Sequence, residues 1–266
     1  MELQMNNTDD QLKQLLAKML PETVKQARGA LRWNHDDEPR VLDTERTAPT
    51  AIRSKDLLGR CLVACEFSGT VRDAFAALGW DAWSCDLLPS EKLGQHYQGD
   101  VTNILREGWD IMVAHPPCTH LAVSGAAWFK NKMREQAEAL DFVRLLMAAN
   151  VQHIAIENPV SVISSKIRKP DQIIQPWQFG HETTKTTCLW LKNLPKLTPT
   201  NIVGKGERVT YASGKSSPMW HAKSGGGCGH KRSVTFQGIA EAMANQYTNH
   251  YLKMRASSHK VSAYEK

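Results

Sequence analysis

A cysteine that directly follows two prolines is held more rigidly than most, and one stands in AHPPCTHLAVSG, residues 114–125. The apolar run before it, DIMVAH at 110–115, reads as a buried strand, so Cys118 falls at a strand end on the rim of a sheet. A second marked run, IENP at 156–159, ends another apolar stretch and puts Glu157 where its carboxyl group can face the thiol. A nucleophile beside a carboxyl group fits one chemistry well. Cytosine C5 is too electron-rich to be alkylated as such, but a thiolate adding to C6 makes C5 enamine-like. A carboxyl group at N3 stabilises the adduct by offsetting the charge that develops on the ring. The plainer alternative is an inert buried cysteine and a glutamate capping the next helix. Against it, a charged residue directly after IAI sits where a core strand should be ending.

Such a reaction needs a nucleoside-type pocket nearby, and three strand ends can supply it. Glu66-Phe67-Ser68-Gly69 closes the first apolar run, and Gly69 can turn the backbone tightly for a ligand to approach. Asp86, about twenty residues on, stands where an acidic side chain accepts from ribose hydroxyls. Asp100, after Gly99, can accept from an adenine amino group. The GxGxxG of a dinucleotide site is absent from this region, which argues against a dinucleotide.

The elements that must position these residues alternate between short apolar runs and helical patterns, the mark of a parallel sheet covered by helices on both faces. Strands are expected at 61–67, 81–86, 110–115, 153–157 and 186–191, and helices at 70–78, 129–149 and 237–252. Residues 175–179 read as a loop. Before the sheet, residues 11–32 read as two short amphipathic helices on either side of Pro21, and 34–56 as a linker. The expected organisation is therefore a helical segment and linker over 1–56, a catalytic domain over 57–197 plus 233–255, a basic Gly/Ser/Lys-rich insert over 198–232, and a flexible tail over 256–266.

With 266 residues and 41% hydrophobic content, the chain can bury one sizeable core. Its run of residues holds no membrane span and no leader pattern, which gives the expectation of a soluble, cytoplasmic protein. Six cysteines without a CxxC pair favour reduced thiols. The formal charge of +6 is uneven: residues 1–150 carry 17 Lys/Arg against 21 Asp/Glu, whereas 151–266 carry 16 against 6, a net of +10. That asymmetry suits a polyanion lying across the C-terminal half.

Taken together, HPPCTHLAVSG resembles the Pro-Cys motif of the DNA (cytosine-5)-methyltransferases, and FSGTVRDAFAALGWDAWSCD resembles their cofactor-binding region. AIENPV resembles their Glu-Asn-Val motif, and the three stand in the family's order. The resemblance covers about residues 60–252 and is closest to the short versions carried by phages and prophages. It implies a Rossmann-like methyltransferase fold with a mostly parallel sheet and S-adenosylmethionine as cofactor. It also implies a nucleophilic role for Cys118 and binding of N3 by Glu157. Glu66, Phe67, Ser68, Gly69, Asp86, Leu87, Asp100 and Pro116 become the expected cofactor site. QFGHETTKTTCLWLKNLP, residues 178–195, resembles the strand of the family's Gln-x-Arg-x-Arg motif, with Lys185 in place of the first arginine and so the third expected catalytic residue. Thr119 replaces the family's glutamine, and Pro159 its valine.

On this reading the substrate is DNA with the target base flipped out of the stack, at a cost of a few kcal/mol. The expected nucleic-acid contacts are Thr119, Ser124, Lys205, Arg208, Lys215, Lys223, Lys231 and Arg232, with Trp220 and Tyr211 as candidates for stacking. His221, Cys228 and His230 lack zinc-site spacing, so no metal is expected. Two other outcomes stay open: the same chemistry on RNA or a free pyrimidine nucleotide, and a degenerate module that binds DNA without turnover.

Overall fold

The computed structural model describes residues 57–219, 222 and 229–264. The helical segment and linker expected over 1–56 lie outside these residues, as do Trp220, His221, Lys223 and Cys228. Seven strands form one sheet: β1 (Arg60–Ala64), β2 (Asp81–Asp86), β3 (His96–Gln98), β4 (Ile111–Ala114), β5 (His153–Pro159), β6 (Gln172–Ile174) and β7 (Thr187–Lys192). Their order is β3-β2-β1-β4-β5-β7-β6. β1 to β5 run parallel, while β7 lies antiparallel between β5 and β6. The helices are α1 (Thr70–Ala76), α2 (Met133–Met147), α3 (Ile163–Lys166), α4 (Gly229–Ser233) and α5 (Gln237–Tyr264).

The apolar runs are continuous because the central strands are covered on both faces. Cys61 and Val63 of β1 belong to a cluster with Val71 and Phe75 of α1 and Met243 and Tyr247 of α5. Leu62 and Ala64, pointing the other way, join Val143 and Leu146 of α2 and Trp190 of β7. Full burial of a side chain such as Leu62 or Phe75 contributes about 2 kcal/mol. This mostly parallel sheet between two helical layers is the Rossmann-like α/β fold expected from the sequence. Among the described residues, no helix is long and apolar enough to cross a membrane.

The differences from expectation lie at the ends of elements. The helix expected over 129–149 is two pieces, a 3-10 segment over Val123–Asn131 and then α2. The closing helix runs on to Tyr264, through residues expected to form the tail. Inside the segment expected to lack regular structure, β8 (Arg208–Thr210) and β9 (Ser216–Pro218) pair as an antiparallel hairpin. Its strands are three residues long, too short for a visible alternation.

Candidate active site

In a sheet of this order the connections leave β1 and β4 in opposite directions, which opens a crevice beyond their carboxyl ends. A cavity of about 340 Å³ occupies that place. The loop after β1 lines it through Phe67 and Ser68, the loop after β4 through Pro116 and Cys118, and β5 through Glu157. Lys185, just before β7, closes a further side, because β7 starts where β5 ends: Thr187 pairs with Pro159. Ser124 and Arg232 also line the cavity. Residues far apart in sequence thus meet through strand order alone.

The β1 loop is built by Glu66. Its Oε1 accepts from Val71 N at 2.7 Å and Ser68 Oγ at 3.1 Å, and Oε2 accepts from Arg72 N at 3.1 Å. The carboxylate therefore satisfies amide groups at the start of α1 that no helical carbonyl reaches. Gly69 sits at φ 68°, and a Cβ there would lie 2.4 Å from the Arg72 guanidinium, so this turn needs glycine. Glu66, expected at the cofactor, borders the cavity but holds the loop in shape.

The β4 loop is fixed from both sides. The Cys118 carbonyl accepts from Leu121 N at 3.0 Å and Ala122 N at 2.9 Å, a tight turn that leaves the residue exposed as a whole while its thiol lines the cavity. Asn158 Nδ2 donates to the Pro116 carbonyl at 2.8 Å, so the residue after Glu157 bolts the loop to β5. Partial burial and the nearby Glu157 charge raise the Cys118 thiol above its ordinary range, while its own amide, Lys185 and Arg232 pull it back less strongly. Burial alone would raise Glu157. The hydrogen bond and charge of His115, with Lys185, outweigh it and hold the carboxyl below its ordinary value.

His115 is the residue that motif reading missed. Its Nδ1 stands 3.1 Å from Glu157 Oε2. The signal was available in the register: β4 and β5 end their ladder at Ala114 opposite Ile156, so the next residues, His115 and Glu157, emerge side by side. His230 was also missed as an organic contact. Its ring stacks on Phe67 with centroids 4.2 Å apart, and its Nε2 lies 2.6 Å from Glu91 Oε1, which places α4 over the β1 loop.

Other expected site residues are more scattered. Asp86 and Asp100 stand at the carboxyl ends of β2 and β3, beside the cavity rather than in its wall, and Leu87 is exposed next to them. Burial raises the Asp86 carboxyl, against the Leu88 and Leu87 amides and the His96 and His115 charges. Asp100 Oδ1 accepts from Thr102 N at 2.9 Å and Thr102 Oγ1 at 2.8 Å, capping the 3-10 turn Val101–Asn103. Thr119 is exposed in the turn after Cys118. Lys185 Nζ donates to the Arg232 carbonyl at 2.7 Å, tying α4 to β7. Arg208 bonds Ser216 and Thr184, Lys205 lies over Trp177, Lys215 is exposed in the hairpin, and Lys231 falls in α4.

No protein-family model matches the chain, and no curated protein matches it in sequence. Among solved structures, that of a methyltransferase from Entamoeba histolytica is similar, with a TM-score of 0.40 and 16% identity. The likeness covers 55% of this chain, which spans 57% of that protein's length. At that distance it carries no argument about activity.

Proposed function

We propose that the cavity is the active site of an S-adenosylmethionine-dependent methyltransferase that methylates cytosine C5 in DNA through a covalent Cys118 adduct. The observation that carries this reading is the meeting of Cys118, Glu157 and Lys185 in one cavity beyond β1 and β4. The sequence resemblance to DNA (cytosine-5)-methyltransferases supplies the choice of base and polymer.

The residues toward the cofactor fit that ligand. Phe67 and Pro116 offer apolar walls, and Asp86 and Asp100 put two carboxylates at adjacent strand ends. When bound, S-adenosylmethionine supplies an electrophilic methyl group. Cys118 Sγ adds to C6 of the flipped base, and the ring's electron density moves toward C5 and N3. The proton that the Cys118 thiol gives up passes by way of the ionised Glu157 carboxylate to N3, where the carboxylate holds it while accepting from the neighbouring amino group. Lys185 sets a positive charge beside both Cys118 and Glu157. Once C5 carries the methyl group, its proton is lost to solvent, the C5–H pair re-forms the C5–C6 double bond, and the C6–S pair returns to Cys118.

Duplex DNA containing 5-fluorocytosine, incubated with the protein and cofactor, tests this directly. The fluorine cannot leave as a proton, so the adduct accumulates and migrates with the protein in a denaturing gel. Cys118→Ala should abolish it, and methyl transfer that survives this substitution rejects the mechanism.

A free pyrimidine nucleotide is the second reading. It is favoured by the engagement of an expected phosphate ligand, Arg208, with Ser216 and Thr184, and of Lys185 with the Arg232 carbonyl. Strongly salt-dependent binding of duplex DNA rejects it.

A further inference from the structure

The imidazole of His115 is nine-tenths buried, with 9% of its side chain exposed, and it borders the cavity at Glu157. Its Nδ1 is 3.1 Å from Glu157 Oε2, while Nε2 is buried without a hydrogen-bond partner among the described residues. An orphan lone pair is easier to bury than an orphan N–H. The neutral ring therefore carries its hydrogen on Nδ1, as the charged ring also does, so in either form Nδ1–H donates to Glu157. Histidine thus holds one carboxylate oxygen from behind and leaves the other for a ligand.

We propose that His115 is a positioning residue for the reaction: by donating Nδ1–H to Oε2, it orients the Glu157 carboxylate so that Oε1 faces the amino and N3 edge of the bound base. The inference rests on the reading of the cavity as a cytosine site. No bond is made or broken at His115. The arrangement has the logic of a carboxylate–histidine pair seen from the other side, with the carboxylate facing the substrate and the imidazole fixing it.

Several groups set the sign of the pH response. His115 and Cys118 face Glu157 from the β4 loop, Lys185 from the segment before β7, and Cys188 from β7 itself, while Asp86 faces His115 from β2. Without His115, the largest opposition to the burial of Glu157 is gone and Lys185 remains, so the carboxyl takes up a proton at higher pH. An ionised acceptor is then lost sooner as pH falls, and the acid limb of the rate profile moves upward.

The test uses the full chain, a cytosine-containing duplex and labelled S-adenosylmethionine. His115→Phe should lower kcat at neutral pH about tenfold, leave the KM for DNA within about twofold, and move the acid limb up by about one pH unit. His115→Asn keeps an amide donor without a titratable ring, and should recover most of kcat. A second measurement does not depend on turnover: carbon-13 carboxyl shifts of the labelled protein, with Glu157 assigned through Glu157→Gln. Its titration should move upward in His115→Phe, and by less in His115→Asn. An unmoved Glu157 titration overturns the proposal, as does a rate profile superimposable on that of the unaltered protein. A variant more active at neutral pH also overturns it, since protonated Glu157 would then be the working form. If the unaltered protein transfers nothing to cytosine but the carboxyl titration moves, the cytosine reading falls and the coupling of His115 to Glu157 stands.

Discussion

Asn158 Nδ2 donates to the Pro116 carbonyl at 2.8 Å, which joins the end of β5 to the two prolines that carry Cys118. Proline has no N–H of its own to anchor a loop, so a side chain from the neighbouring strand performs the anchoring. Asn158→Ala leaves that carbonyl buried and unpaired, at a cost of about 1–3 kcal/mol. Urea unfolding should show the loss, and the rate of 5-fluorocytosine adduct formation should fall about tenfold with DNA affinity little changed.

Cys118 is predicted to react slowly as a thiol at neutral pH and faster as pH rises, because burial and the Glu157 charge both disfavour the thiolate. Glu157→Gln removes one of these two causes. The pH profile of Cys118 alkylation by iodoacetamide, followed on its peptide by mass spectrometry, should therefore shift toward lower pH in that variant. Methyl transfer should be lost in the same protein. A profile that moves upward contradicts the charge relationship.

Glu66→Gln is predicted to weaken the fold rather than the chemistry alone. Both carboxylate oxygens accept from the start of α1 or its loop. An amide replaces one of those oxygens with a donor facing N–H groups, for a loss of about 2 kcal/mol. Chemical denaturation measures it directly, and a stability equal to that of the unaltered protein counts against the capping role.

DNA binding should weaken with salt, and the slope of log K against log salt should shrink by about one for each contributing cation removed. Lys215→Gln is the first variant to compare, because Lys215 is exposed in the β8–β9 hairpin and lies outside the cavity wall. Lys185→Gln is expected to act differently. It severs the tie to the Arg232 carbonyl and so should reduce turnover more than it changes the salt slope.

Much of this was legible in the residues. Strands buried on both faces leave long apolar runs, so β1, β2, β4, β5 and β7 were placed to within a few residues. Cys118 and Glu157 stood out because a thiol and a carboxyl group interrupt such runs where the core ends. What stayed hidden depends on contacts between segments. Nothing in the single residue Glu66 says that it faces three donors of its own loop rather than a ligand. His115 looks like a strand-end residue until the β4–β5 register sets it beside Glu157. The stacking of His230 on Phe67 joins positions more than 160 residues apart, with no local pattern to announce it. β8 and β9 are short and polar, and their pairing is fixed by one another.

The reversed direction of β7 has an architectural consequence. In the parallel strands it is the departing segment that decorates the rim of the cavity, but in β7 it is the arriving one, so Lys185 takes its place before the strand begins. The chain then leaves β7 at the opposite edge of the sheet and must cross its length again before the hairpin brings Pro218 back to the cavity. On its way it meets the segment before β7 again, where Arg208 of the hairpin bonds Thr184 Oγ1, so the arriving strand and the returning chain close the same side of the cavity.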